Sequence, residues 1–423
     1  MPGRAATLAE KLLSRAAGRE VRAGDIVVCA VDAAMGTDGS IPMALDYLGQ
    51  LADGPLPAPA ARDKLFFAMD HYGALSGERA LALQDKARSY AQAHGIRVFE
   101  VGEGIGHQLM IESGHVRPGE LVVAADSHAV SYGALNAFGT GIGSSDFAGV
   151  LACGQVWLKV PASLRVHLTG RLRPGVSAKD VALTLARTLG ADGASYLALE
   201  FAGPALTWLD MDDRIVLANM SVEMGAKAGL FPFDDCTRAF LASRTRGELT
   251  PMSADQGARY LDTLGLDLDT VVTEVALPHR VDRVQSLAGT AAVPIDLVYL
   301  GTCTGGRAKD YHEAIEVLRA GGGIAPGVRL VVTPASESIR AELEEQGVLA
   351  EFRAFGASVQ APGCGACCGT CSSVPAGGVR VASTANRNFK GRMGNGEAEI
   401  FLASPRSCAL AAVSGTLGGG SPP

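Results

Sequence analysis

Positive charge is scarce in this sequence. Its 37 Lys and Arg are outnumbered by 44 Asp and Glu, for a formal net charge of −7. A general nucleic-acid binder is usually basic, so the balance argues against that class. Any anionic small molecule has to be met by local positive charge rather than by a global field. Long apolar runs are missing as well: nothing reaches the 18 or so residues that a membrane-spanning helix needs. No secretory leader is legible either. Residues 5–13 carry Glu10 and Lys11, too much charge for a signal core. Thr7 and Glu10 instead have the spacing of a capping box that opens a short amphipathic helix.

Cysteine, by contrast, is plentiful. The nine are Cys29, Cys153, Cys236, Cys303, Cys364, Cys367, Cys368, Cys371 and Cys408. The count is odd and one group is clustered. With no leader, this fits a reducing compartment, the cytoplasm, better than a disulfide framework. At 423 residues, 48% hydrophobic and 19% charged, the chain is long enough for two or three domains with a large buried core.

Strand-like and helix-like stretches alternate, which predicts an α/β fold. Three α/β domains are expected, at 1–159, 160–283 and 284–417, before a disordered tail at 418–423. In the first, strands are expected at 25–31, 65–69, 98–101 and 121–125, with a helix over 77–94. In the second, strands at 164–168 and 198–201 accompany a helix from Ala178 and another over 211–228. The latter carries Asn219 and Glu223. The polar stretch 241–268 is expected on the surface. In the third, strands at 297–300 and 329–333 alternate with helices at 310–319 and 336–346. The Gly-rich run 138–145 lacks the Walker lysine and the three-glycine fingerprint, so close backbone packing is its better reading.

Chemistry concentrates in Pro362-Gly363-Cys364-Gly365-Ala366-Cys367-Cys368-Gly369, read with Gly301-Thr302-Cys303-Thr304 upstream. A CxxC turn brings two thiolates to one metal centre, and glycines let the backbone approach it. A strand-end cysteine can supply a third ligand. Three ligands leave a metal position open for chemistry. By spacing alone, a redox dithiol or a zinc pair fits equally. Downstream, Arg387 and Arg392 stand five apart among glycines, which suits bidentate grip of a carboxylate-rich ligand. Asp70-His71 and Asp126-Ser127-His128 each end a predicted strand. An Asp beside a His fixes its tautomer and stabilises the imidazolium, a useful proton relay. His107 follows Gly104-Ile105-Gly106. Taken singly, each histidine reads better as a satisfied structural residue.

Gly-Thr-Cys-Thr, Cys-Gly-x-Cys and Asn-Arg-Asn-Phe-x-Gly-Arg, in that order, resemble the aconitase superfamily, and most of all its 3-isopropylmalate dehydratase and homoaconitase large-subunit branch. The resemblance reaches Asp126-Ser127-His128 and the N-terminus, so it spans nearly the whole chain. It implies three α/β domains around a central iron–sulfur site. Cys303, Cys364 and Cys367 would hold a 4Fe–4S cluster with one open iron. The activity implied is that of a hydro-lyase isomerising a hydroxy di- or tricarboxylate, with neither nucleic acid nor membrane as partner. Asp70, His71, His107, Asp126, His128 and Glu200 match catalytic positions. Ser127, Asn386, Arg387 and Arg392 match substrate-binding ones, whereas Glu223 could equally cap a helix surface. The family's catalytic serine lies in a swivelling domain with a Gly-Ser-Ser-Arg signature. That signature is not found here, so a small subunit carrying it is expected.

Several positions depart from the family pattern. Thr37-Asp38-Gly39 stands for His-Asp-Gly, Gly106 for a cysteine, Cys303-Thr304-Gly305-Gly306 for Cys-Thr-Asn-Gly, and Ala129-Val130 for a Thr-rich pair. They put the substrate in question rather than the reaction type. Cys368 and Cys371 are extra, and leave open both ligand choice and oxidative pairing. Two further readings stand beside the enzyme: an iron-responsive RNA-binding relative, and a zinc-stabilised protein with Cys371 as fourth ligand.

Overall fold

The computed structural model describes residues 4–52, 54–73, 76–245, 247–371 and 373–419. After the helix Leu8–Ala17, the first part of the chain supplies seven strands. They are β1 (Ile26–Ala30), β2 (Ala33–Thr37), β3 (Leu65–Ala68), β4 (Arg97–Phe99), β5 (Leu121–Ala124), β6 (Phe138–Gly141) and β7 (Gln155–Lys159). Strands β2 to β6 form a parallel sheet in the order β4-β3-β2-β5-β6. Every residue of β2, β3 and β5 is buried, as expected of parallel strands covered on both faces. The strand expected at 25–31 lies outside this sheet. It is β1, which pairs antiparallel with β7 and buries only alternate residues. The Gly-rich run becomes β6 and the start of the helix Ser144–Cys153. A Cβ on Gly139 would lie 2.3 Å from the Ala129 carbonyl oxygen, so close backbone packing is its structural role.

The second part builds a four-stranded parallel sheet from β8 (Ser163–Thr169), β9 (Ala198–Ala202), β10 (Ala228–Leu230) and β11 (Asp262–Asp267), in the order β10-β9-β8-β11. The helix expected over 211–228 is shorter, Met211–Met220. There Ser221 donates its hydroxyl to the Leu217 carbonyl at 2.9 Å, one tight turn follows, and Gly225 reverses the chain at φ 87°. Residues 228–230 then pair with β9 instead of continuing the helix. Within the polar stretch 241–268, β11 adds an exposed edge to the sheet.

The third part contributes β12 (Glu274–Ala276), β13 (Val284–Ser286), β14 (Val293–Pro294), β15 (Leu297–Leu300), β16 (Arg329–Val332), β17 (Ser358–Val359), β18 (Arg380–Ser383), β19 (Glu399–Ala403) and β20 (Thr416–Leu417). Seven of them form a sheet in the order β13-β12-β19-β18-β15-β16-β17, and β14 pairs with β20. The five strands from β19 to β17 are parallel. Of the tail expected to be disordered, Gly419 donates its N–H to the Thr290 carbonyl at 2.8 Å, and residues 420–423 lie outside the described residues.

The carboxyl ends of the first and third sheets meet. Ile105 N donates to Ala335 O at 2.8 Å, and Cys364 N to Asp70 O at 3.2 Å. One apolar core runs through all three parts, with Met35 and Ala124 from the first, Val166 and Phe201 from the second, and Tyr299 and Ile400 from the third. The crevice outside strand carboxyl ends is where open parallel sheets place their chemistry.

Candidate active site

Each group of interest follows a strand end. Asp38 follows β2, Asp70 and His71 follow β3, Asp126 follows β5, Cys303 follows β15, and Asn386 follows β18. The Asp126 carboxylate is the centre of the first half. Its Oδ1 lies 2.8 Å from His107 Nε2 and accepts the His128 backbone N–H at 2.8 Å. Its Oδ2 lies 3.5 Å from His71 Nε2. The His71 Nδ1 is 2.7 Å from Asp70 Oδ1, and the far oxygen of Asp70 accepts Gly106 N–H at 2.8 Å. His107 Nδ1 is 2.9 Å from the Tyr132 hydroxyl. His128 Nε2 reaches Glu223 Oε1 at 3.1 Å, and Arg387 Nε holds the same carboxylate at 2.8 Å.

This packing fixes the charges. Burial works to lower His71, but Asp70 and Asp126 outweigh it and raise it well above 6.5. Burial works to raise Asp126, and the bonds from His107, His128 and His71 hold it well below 3.8. Glu223 is likewise lowered against its burial by His128 and Arg387. The first half is thus a chain of alternating acidic and basic side chains, Asp70–His71–Asp126 and Asp126–His128–Glu223–Arg387. His71 is the most exposed of its three histidines, with a side chain 22% exposed against 6% for His107 and 7% for His128.

The sulfurs form the second half. Cys303 Sγ accepts from Asn219 Nδ2 at 3.2 Å and from Asn386 Nδ2 at 3.3 Å. Asn386 also hydrogen-bonds Asn219 directly. Cys367 Sγ is 3.7 Å from Arg392 Nη2, and Cys364 Sγ is 3.8 Å from Asp70 Oδ2. Burial pushes the Cys303 thiol up to about 11, with Cys367 adding to it, and Cys364 is raised well above its ordinary value by burial and then by the Asp70 carboxylate. Such thiols ionise only when a cation neutralises them. The Arg392 Nε is buried without a partner beside Cys367. Three sulfurs, two of them met by amide or guanidinium N–H groups, suit an anionic cluster, and the residues present fit one. A single zinc ion would hold four thiolates at about 2.3 Å each, hence within ~5 Å of one another. Among the described residues, the one trio of potential ligand atoms within 4.8 Å of one another is Asp70, His71 and Cys364, not a cysteine set.

Two expected site residues are placed elsewhere. Glu200 does not face the crevice. Its carboxylate accepts Leu8 N–H at 3.2 Å, Ala9 N–H at 3.0 Å and the Ser163 hydroxyl at 2.6 Å. It thus caps the first helix, because β9 runs beneath that helix's N-terminus. Ser127 lines a cavity of about 410 Å3 with Thr140, Tyr196 and Lys227, and none of the histidines or cluster cysteines lines it. Three residues have roles that the sequence did not show. Asp38, fully buried, accepts the backbone N–H of His71 at 3.0 Å and of Tyr72 at 3.1 Å. Tyr132 and Lys179 are buried too. Lys179 Nζ donates to the carbonyls of Ala385 at 2.6 Å and Thr384 at 3.0 Å and to the Thr304 hydroxyl at 3.2 Å, tying the Cys303 loop to the Asn386 loop. The departure at Gly106 has a structural cause: a Cβ there would lie 2.6 Å from Met35 Sδ and 2.7 Å from Ala68 Cβ.

The model of the aconitase family (aconitate hydratase) matches residues 75–294 and 288–415. The chain belongs to the aconitase family. It is a hydro-lyase by that membership. Among similar proteins, a 3-isopropylmalate dehydratase large subunit of Thermotoga maritima is 43% identical over 412 residues, covering 97% of each chain. The homoaconitase large subunit of Thermus thermophilus is 43% identical over 419 residues, covering 97% of this chain and 96% of its own. In three dimensions the aconitase-family fold is shared with aconitase X of Thermococcus kodakaraensis, at a TM-score of 0.51 and 12% identity over 85% of this chain and 84% of that one. Among the described residues, no helix is long and apolar enough to cross a membrane.

Proposed function

We propose that this chain is the large subunit of a 4Fe–4S-dependent hydro-lyase. It isomerises a hydroxy di- or tricarboxylate of the isopropylmalate or homocitrate type by dehydration and rehydration, in the cytoplasm, together with a small subunit. The observation that carries the reading is the meeting of two strand-end groups. The Asp126 histidine array stands on one sheet, and Cys303, Cys364 and Cys367 stand on the other. The large-subunit relatives at 43% identity support the substrate class and the partner.

Cys303, Cys364 and Cys367 would hold the cluster, which when bound supplies a Lewis acid that polarises the substrate hydroxyl and a carboxylate. Asn219 and Asn386 steady Cys303, and Arg392 offsets the negative charge gathered at Cys367. Arg387 is fixed along its Nε edge by Glu223, so its guanidinium is pre-oriented for a substrate carboxylate. His71 donates the proton that turns the leaving hydroxyl into water. Asp70 fixes its Nδ1 side, and Asp126 stabilises the imidazolium from the other. His107 and His128 hold Asp126 ionised. The carbon-bound proton is removed by a base that the small subunit brings.

The test is iron and acid-labile sulfide content on anaerobically reconstituted protein, followed by activity with the small subunit. About four irons and four sulfides per chain are expected. Cys303→Ala should abolish both cluster and turnover. Zinc without sulfide, or an active metal-free chain, would overturn the reading. RNA binding by the iron-free chain in a gel-shift assay would point to the non-catalytic alternative instead.

A further inference from the structure

The assignment of Cys303, Cys364 and Cys367 to the cluster, on which this inference rests, leaves two cysteines of the same loop over. Cys368 and Cys371 hydrogen-bond to each other through their thiols. Both also reach one backbone oxygen: Cys371 Sγ lies 2.8 Å and Cys368 Sγ 3.5 Å from the His71 carbonyl. Thr370, between them, donates its hydroxyl to that carbonyl at 2.6 Å and lies 2.9 Å from Cys368 Sγ. Gly369 turns the chain at φ 74°, which lets the two side chains face one another. The pair is therefore a preformed dithiol folded over the backbone of the reactive histidine.

It is also reachable. Cys371 lines a cavity of about 290 Å3 with Met69, Tyr72, Gly102, Gln360 and Pro362. That is near the lower bound of small-molecule sites, ~300 Å3. Cys368 does not line it. The remaining cysteines outside the cluster set offer no such pair: Cys29 and Cys408 are buried, and Cys153 and Cys236 lie in other parts of the chain.

We propose that Cys368 and Cys371 form a thiol–disulfide exchange site that takes low-molecular-weight disulfides from this cavity. The Cys371 sulfur, which lines the cavity, passes its proton to Cys368 across their hydrogen bond and attacks one sulfur of the incoming disulfide. The S–S bond breaks, a mixed disulfide forms on Cys371, and one small thiol leaves with the proton. The Cys368 thiolate then attacks the Cys371 sulfur and expels the second small thiol. In total two cysteine thiols are oxidised and one small disulfide is reduced to two thiols. Closure removes the Cys371 S–H from the His71 carbonyl, which it reaches at 2.8 Å, so it changes the support of the reactive histidine without touching the cluster ligands.

The experiment treats the iron-loaded full chain with oxidised glutathione, then counts free thiols, measures iron and maps peptides without reduction. A loss of two thiols per chain is expected, with a cross-link joining Cys368 to Cys371, iron retained, and reversal by dithiothreitol. Cys368→Ser should stop at one glutathione on Cys371, and Cys371→Ser should lose no thiol pair. An unchanged thiol count, a wild-type chain that stops at the mixed disulfide, or a cross-link that includes Cys364 or Cys367 would overturn the proposal. If the chain held no cluster, a cross-link still confined to Cys368 and Cys371 would support the exchange site while removing the cluster assignment. Scrambled pairing in that chain would overturn the site as well.

Discussion

Asp126→Asn tests the charge chain at its centre. The asparagine oxygen can replace Oδ1, which serves His107 Nε2 and the His128 N–H, both at 2.8 Å. Its amide then takes the place of Oδ2 and turns two N–H donors toward His71 Nε2, which sits 3.5 Å from that oxygen. A protonated His71 cannot accept from them. The substitution therefore removes one charge-assisted bond, worth about 1.5–3 kcal/mol, and leaves a donor facing a donor. His71 should titrate closer to its ordinary 6.5 instead of well above it. If His71 is the proton donor, kcat should fall by about 10²–10⁴, the usual range for one acid–base group. KM should change little, because Arg387 and Arg392 are untouched. The assay is turnover of the chain with its small subunit, followed by absorbance of the alkene intermediate, beside an NMR titration of His71. A kcat within threefold of the parent, or an unmoved His71 titration, would refute the reasoning.

Other substitutions separate structural from chemical roles. Glu200→Gln should cost about 1–2 kcal/mol of stability, as loss of a helix cap does, with kcat unchanged; denaturant melts and turnover on one sample check it. Gly106→Cys should destabilise by about 1–3 kcal/mol through overpacking against Met35 and Ala68; thermal denaturation reads it. Asp180 is fully buried and raised from 3.8 to about 6, by burial first and in spite of bonds from Glu274 and Ser177. A carboxyl raised on folding binds its proton more tightly when folded. Its contribution is therefore present below 3.8 and is lost as pH rises through about 6, amounting to about 3 kcal/mol. Asp180→Asn should flatten that part of the stability–pH curve, and an unchanged slope would count against it.

The sequence made the α/β alternation legible because buried parallel strands read as short apolar runs. Leu121–Ala124 and Leu297–Leu300 are such runs, and both have every residue buried. It showed β1 as a strand but not where it pairs, since an apolar run carries no mark of its pairing partner, and here the partner is β7, over a hundred residues on. It overran the helix at Met220, because Ser221 and Gly225 are weak stop signals without the β9 edge beside them. The two glutamates show the limit for site residues. Glu200 and Glu223 are both buried, and only the third dimension shows that one caps Leu8 and Ala9 while the other bridges His128 and Arg387. The role of Asp38 was invisible for the same reason: it acts on the backbone of His71, thirty-three residues away.

The ring of donors around Cys303 has a consequence in time. Asn219 is 84 residues before this cysteine and Asn386 is 83 after it, yet both touch one sulfur. A ribosome has to deliver nearly the whole chain before those three meet. Cys364 and Cys367 also emerge late, as the last of the three sulfurs' carriers. Since domains fold as units from the N-terminus during synthesis, the first two sheets can be complete while the metal pocket does not yet exist. On the proposed assignment, iron and sulfide would therefore be delivered to a finished chain, and a prematurely terminated one would offer nothing to fill.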